Sequence, residues 1–193
     1  MEIKHNFKTK SHNLSGLFSG VTRFSTFMRR LEAQSALDPN RYDTQKYLGD
    51  GFEFFIELLL KLSPTDNRLG VYDYEPVQEN DNGVDGVGVN ISLEKSVVQI
   101  KYRSDTRTLL TGNRDHLSNL FTDGMLAHNV VSDNDNKKNF RHYVFTTAKS
   151  LHFYTDQEMY KGKVKCIGYQ DLRNLLDNNL KFWQEANRVI SEL

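Results

Sequence analysis

A single cysteine, Cys166, stands among the 193 residues, so the chain can form no internal disulfide and no thiolate metal cluster. Long apolar runs are missing too. The longest, Phe52 to Leu60, is broken by Glu53 and Glu57 and falls well short of the roughly 20 apolar residues that span a bilayer. The N-terminus, Met1-Glu2-Ile3-Lys4-His5, carries no apolar core of the signal-peptide kind. No membrane partner and a cytoplasmic address are the resulting expectations. Charge of one sign is also lacking: 25 basic and 25 acidic residues give a net charge of zero. That excludes a general positive coat, but not a local basic groove, since only a docking face meets phosphate. The six histidines are scattered, with no pair at zinc spacing. Only three prolines interrupt the chain, and no repeat or low-complexity tract appears.

What is present describes an ordinary globular protein. Hydrophobic residues make up 38% and charged residues 26% of the chain, with 12 Phe and 9 Tyr to bulk a core. The length favours one domain with an appended helix. Leu17, Val21, Phe24, Met28 and Leu31 fall on one helical face and predict a helix over 15–37, ended by Asp38-Pro39-Asn40. Its apolar stripe suits packing on the core or against a dimer partner. A second helix is expected over 44–62, closed by Ser63-Pro64, with Phe52, Phe55, Ile56, Leu59 and Leu60 as its buried stripe. Glu53 sits at the edge of that stripe and Glu57 further toward solvent.

The pattern then changes to strands. They are expected over 69–77, 84–93 and 96–103, with a turn at Asn80-Asp81-Asn82-Gly83 and another at Glu94-Lys95. In the second, Asp85 shares a face with Val87, Val89 and Ile91. Further strands are predicted over 142–147 and 164–169. Helices are predicted over 114–129, 156–160, 170–176 and 180–193, with a polar loop at 132–138. Meandering strands followed by crossover helices imply an α/β fold with a mixed central sheet flanked by helices.

An acid on one strand followed by a strand of pattern acceptor-x-Lys has a clear chemical logic. A phosphodiester repels hydroxide, so a divalent cation must neutralise the scissile phosphate and acidify a water. Magnesium prefers hard oxygen ligands and keeps several waters, so one or two carboxylates suffice. Residues i and i+2 of a strand share a face. Gln99 and Lys101 are therefore expected to point together toward a metal held by Asp85, with the Lys101 ammonium serving the attacking water and the charge of the transition state.

Gly83-Val84-Asp85-Gly86, followed by Val97-Val98-Gln99-Ile100-Lys101-Tyr102-Arg103, resembles the Mrr-like branch of the PD-(D/E)xK nuclease superfamily. Phe52-Glu53 is similar to the Phe-Glu pair of that branch's upstream helix, and Phe145-Thr146-Thr147 to its later Thr-Thr step. The likeness covers roughly residues 44 to 180. It implies a restriction-endonuclease-like core with residues 1–43 as an N-terminal helical extension and 44–193 as the nuclease domain. It further implies Mg2+, with Mn2+ able to substitute. Asp85 would be the principal ligand, Glu53 a second, and Gln99 and the Ile100 backbone carbonyl would complete the surroundings. Lys101 would be the catalytic base or water-orienting cation. Gln99 stands where the superfamily more often has an acid, which should weaken metal affinity, and Val84 replaces the proline before the aspartate.

The function expected on these grounds is DNA endonuclease activity, with a homodimer as a plausible state. Arg103, Arg107 and Arg114 could line a phosphate groove, with Lys137, Lys138 and Arg141 on another rim; as readily, they form a solvated face. Rival expectations are a structure-selective nuclease or Holliday junction resolvase of the same fold, a catalytically silent nucleic-acid-binding module, and a phage-type assembly protein.

Overall fold

Alternation of apolar residues after residue 70 becomes one mixed sheet, and the periodic segments before and after it become helices stacked on one of its faces. The computed structural model describes residues 12–37, 43–77, 83–111, 117, 120, 123–128, 130, 140–152 and 164–193. The chain runs α1 (Leu14–Phe18), α2 (Phe24–Ala36), α3 (Thr44–Leu62), β1 (Tyr72–Pro76), β2 (Gly86–Val89), β3 (Lys95–Lys101) and β4 (Leu109–Leu110). It continues through α4 (Asp123–His128), β5 (His142–Thr146), β6 (Ser150–Leu151), β7 (Val164–Ile167), α5 (Tyr169–Leu176) and α6 (Leu180–Ser191). Five strands form the central sheet in the order β1-β2-β3-β5-β7, and β4 and β6 pair as a small second sheet. The β1–β2 and β2–β3 pairs are antiparallel, while β5 lies parallel to both β3 and β7. The expected mixed sheet flanked by helices is therefore present.

Helix α3 has the bounds its sequence pattern predicts. Asp43 caps it, its carboxylate accepting from Gln45 N at 2.9 Å and Lys46 N at 3.4 Å. Ser63 closes it immediately before Pro64, which cannot continue a helix. The residues after α3 also differ from expectation at several ends. The strand predicted over 84–93 keeps only Gly86–Val89, because Asn90 folds the following residues into a tight loop. Its side-chain oxygen accepts from Ser92 N and Glu94 N, and its amide donates to Glu94 and to the Phe140 carbonyl. Ile91, expected on the face of Asp85, is exposed in that loop. The helices predicted over 114–129 and 156–160 and the polar loop at 132–138 lie partly or wholly outside the described residues; α4 is the described part of the first.

The single helix expected over 15–37 is two helices. Gly20 takes a left-handed φ of +66° and breaks the run, and the Arg30 guanidinium reaches back to the carbonyls at the end of α1, including Ser19 O at 2.6 Å. The N-terminus of α2 is capped from the other end of the chain: Asp177 Oδ1 accepts from Phe24 N at 2.9 Å. Phe24, Phe27 and Leu31 are fully buried. Phe55 of α3 stacks on Phe27 at 4.4 Å and on Trp183 of α6 at 6.0 Å. The N-terminal stripe, Leu17, Val21, Phe24, Met28 and Leu31, is thus packed into the core. Truncating a buried ring such as Phe55 to alanine costs about 3–5 kcal/mol.

Two clusters result. The larger holds α1, α2, α3, α5 and α6 against the sheet face of Val98, Ile100, Tyr143, Phe145 and Ile167. The smaller sits on the opposite face, around Val97, Val144, Val164, Leu110, Leu117 and Leu120. Among the described residues no helix is long and apolar enough to cross a membrane.

Candidate functional site

Strand register decides what Asp85 can touch. Gly86 pairs with Val98, and Asp85 N still donates to Val98 O at 2.9 Å. One step further along β3 no backbone carbonyl takes over from β2. The Asp85 carboxylate does instead, accepting from Ile100 N at 2.6 Å. Asp85 therefore sits where β2 parts from β3, just before its strand, with its side chain turned along the β3 edge. In a strand a residue's N–H and C=O point to the same neighbour. The Ile100 carbonyl is consequently directed to the side that Asp85 occupies.

Helix α3 lies across β1 and β3 and brings Glu53 over this point. Asp50, Glu53, Glu57, Tyr74, Asp85 and Ile100 line one pocket. Asp50, Glu53 and Glu57 follow helical spacing and form the less buried stripe of an otherwise buried helix. Two lysines one turn away hold the outer acids, Lys46 on Asp50 at 3.1 Å and Lys61 on Glu57. Glu57 and Lys61 are both largely shielded from solvent, their side chains 12% and 22% exposed, so that pair is less screened than a surface ion pair.

Tyr74 closes the pocket from β1. Its hydroxyl donates to the Asp85 carbonyl at 3.3 Å, and its ring lies directly against Gly86, whose missing side chain makes room for it. Burial pushes the Tyr74 phenol well above its ordinary pKa, and the negative charges of Asp85, Glu57 and Glu53 add to the shift. The phenol is a neutral hydrogen-bond donor at any physiological pH, and the acids around it are those that line the pocket, Asp50, Glu53, Glu57 and Asp85.

Gln99 and Lys101 do share a face, as the strand period requires. It is the face opposite to α3. Val97 lies in the second cluster, as does Val144, the register partner of Gln99, whereas Ile100 packs on the α3 side. Neither Gln99 nor Lys101 lines the carboxylate pocket. Gln99 is 6% exposed and its side-chain oxygen is buried without a hydrogen-bond partner. Glu53, Asp85 and Ile100 are therefore brought together, and Gln99 and Lys101 stand across the strand from them. Among the described residues no three His, Cys, Asp or Glu side chains are grouped closely enough to hold a metal ion.

The expected basic rims divide. Arg103 and Arg107 lie on the loop that follows β3, at the pocket's end of the sheet. Arg107 is exposed and ion-paired with Asp105 at 3.2 Å. Exposed Lys149, on the adjoining loop, has its backbone N–H on Thr108 O at 2.9 Å, so a lysine not foreseen joins that rim. Arg141 stands at the other end of β3, where it binds Glu94 at 2.6 Å and fixes the β2–β3 loop. Arg114, Lys137 and Lys138 lie outside the described residues. The helical spacing of Asp50, Glu53 and Glu57 could have signalled the acidic stripe. Nothing local could have signalled Tyr74, which reaches the site only through the register of β1 on β2. No family model, no curated protein and no solved structure matches the chain.

Proposed function

We propose that the chain is a magnesium-dependent DNA endonuclease with a restriction-endonuclease-like core, of the Mrr-like branch of the PD-(D/E)xK superfamily. The observation that carries this reading is the Asp85 carboxylate seated on Ile100 N at the parting of β2 and β3, with Glu53 across the same pocket. The chemistry of the donors suits a hard cation: Asp85, Glu53 and the Ile100 carbonyl would offer it oxygen atoms, the kind of donor that magnesium prefers. When bound, the metal supplies charge neutralisation and an acidified water.

The chain's own residues would do the rest. Asp85 and Glu53 would hold the ion. Tyr74 keeps the Asp85 backbone in place through its carbonyl. Arg103, Arg107 and Lys149 would receive the flanking phosphates at the carboxyl end of the parallel strands, where open α/β sheets commonly bind ligands. Lys101 would have to act from its own side of β3, reaching round the edge left open beyond Asp85.

A second reading is favoured by the placement of Gln99 and Lys101 outside the pocket: a nucleic-acid-binding module without cleavage. One assay separates the two. Supercoiled plasmid is incubated with Mg2+, Mn2+ or EDTA and wild type, Asp85→Ala or Lys101→Ala protein. Metal-dependent nicking that both substitutions abolish supports the nuclease. Salt-sensitive DNA binding without cleavage under any metal supports the module, and nicking that survives Asp85→Ala defeats the assignment of the site.

A further inference from the structure

At the edge of the sheet away from the carboxylate pocket, the loop after α3, strand β7 and helix α5 enclose a second cavity of about 300 Å3. That volume falls within the range of roughly 300–1,000 Å3 occupied by small-molecule sites. Its floor is apolar and built into the core: Leu69, Ile167 and Leu175 are all buried. Its rim is polar, with Arg68 and Lys165 as cations and Asp171 and Asn174 beside them.

The rim groups are only partly occupied with one another. Asp66 holds the Arg68 guanidinium through Nε and Nη2, the latter at 2.6 Å, and Nη1 takes no part in that pairing. The Lys165 ammonium donates to the Asn67 carbonyl at 3.4 Å, longer than the usual N–H···O range of about 2.7–3.2 Å. Asp66 and Asp171 lie close enough to favour its charge, yet burial outweighs them and lowers its pKa. An anion entering the cavity would restore the solvation that the ammonium has lost. Asp171 uses one oxygen on Gly168 N at 3.0 Å, and the Asn174 oxygen accepts from Gln170 at 2.8 Å.

This combination selects the ligand's chemistry. A bare inorganic anion would leave the apolar floor uncovered. A fatty acid would cover the floor but make no use of Asp171 and Asn174, which stand exposed at the cavity's mouth. A ligand with an anionic group, a flat apolar body and N–H donors on its edge satisfies all three. We propose that this cavity binds a nucleotide unit, with its phosphate on Lys165 and Arg68, its base on Leu69, Ile167 and Leu175, and its amino-bearing edge toward Asp171 and Asn174. The source is either a free mononucleotide or the terminal nucleotide of a strand. The site is separate from the carboxylate pocket and needs no metal.

The test uses the full chain in EDTA, which removes any contribution of divalent cations. AMP, adenosine, inorganic phosphate and a short 5′-phosphorylated oligodeoxyadenylate are titrated while backbone amide shifts are followed by NMR. AMP should move the amides of residues 67–70, 165–167 and 171–175, and adenosine or phosphate alone should do so more weakly. Lys165→Gln should weaken binding about tenfold, as loss of a charge-assisted hydrogen bond does, and Lys165→Arg should largely restore it. Arg68→Gln gives an independent check, and each variant's spectrum reports whether it is folded. Shifts with the oligonucleotide alone assign the source to a strand end. No shift at these amides with either nucleotide probe, or binding indifferent to both Lys165→Gln and Arg68→Gln, overturns the proposal.

Discussion

Gly86→Ala tests the contact on which the carboxylate pocket is built. A Cβ placed on Gly86 falls 2.2 Å from Tyr74 Cε2, 2.4 Å from Cζ and 2.5 Å from the hydroxyl oxygen. Carbon atoms rest about 3.5–4.0 Å apart, so the ring would have to withdraw by more than ~1 Å. Its surroundings oppose that, since Tyr74 is 8% exposed and shares the pocket wall with Phe54 and Pro76. Overpacking a buried site costs about 1–3 kcal/mol. Loss of the long hydrogen bond to the Asp85 carbonyl adds about 0.5–1 kcal/mol. The expected destabilisation is about 2–3 kcal/mol, or a fall of roughly 5–10 °C in Tm for a chain of this size. Urea denaturation should show a lower midpoint at unchanged slope. Tyr74→Leu removes all three clashing atoms. In a double-mutant cycle the pair should therefore be less destabilised than the sum of the singles by at least ~1 kcal/mol. A loss below ~0.5 kcal/mol for Gly86→Ala, or additivity within ~0.5 kcal/mol, would refute the ring's position over Gly86.

His12 provides a pH test. It stacks on Tyr47 at 3.8 Å and its Nε2 meets the Tyr47 carbonyl at 2.9 Å, with Nδ1 buried and unpaired. Burial lowers its pKa below 6.5, against the opposing effects of the Tyr47 carbonyl and Asp50. The unfolded chain then binds the proton more readily, so the contribution of neutral His12 is complete above 6.5 and is lost as pH drops toward the lowered native value. His128 is lowered in the same sense, by burial and then by Lys95. His12→Gln should accordingly give a shallower acid slope in urea titrations, and an unchanged slope would mean that His12 is not buried neutral. Leu93 takes a left-handed φ of +61° while 80% exposed. Leu93→Asn should raise stability by about 0.5–1 kcal/mol, because asparagine tolerates that conformation; a lower urea midpoint would show that Leu93 makes a contact that favours it.

The sequence by itself determined the local elements and their order. Asp43 and Pro64 bound α3, and the spacing of its phenylalanines and leucines settles which side is buried. Alternation around 97–102 makes a strand, and its period of two puts Gln99 and Lys101 on a common face. These are short-range consequences of backbone geometry and need no partner. Tertiary structure decided which face that is. Val98 and Ile100 took the side covered by α3 and the other helices packed with it, where they join the larger apolar cluster of the described residues. Gln99 and Lys101 were left facing away from Glu53. Only the register of β1 on β2 could place Tyr74 over Gly86, since the two are 12 residues apart and meet through antiparallel pairing. The break between α1 and α2 falls at Gly20, but the groups that satisfy its two helix ends are distant, Arg30 across the turn and Asp177 from the far end of the chain. A helical stripe that reads as continuous from Leu17 to Leu31 carries no trace of them. Periodicity specifies what a segment buries, and only the packed chain specifies against what.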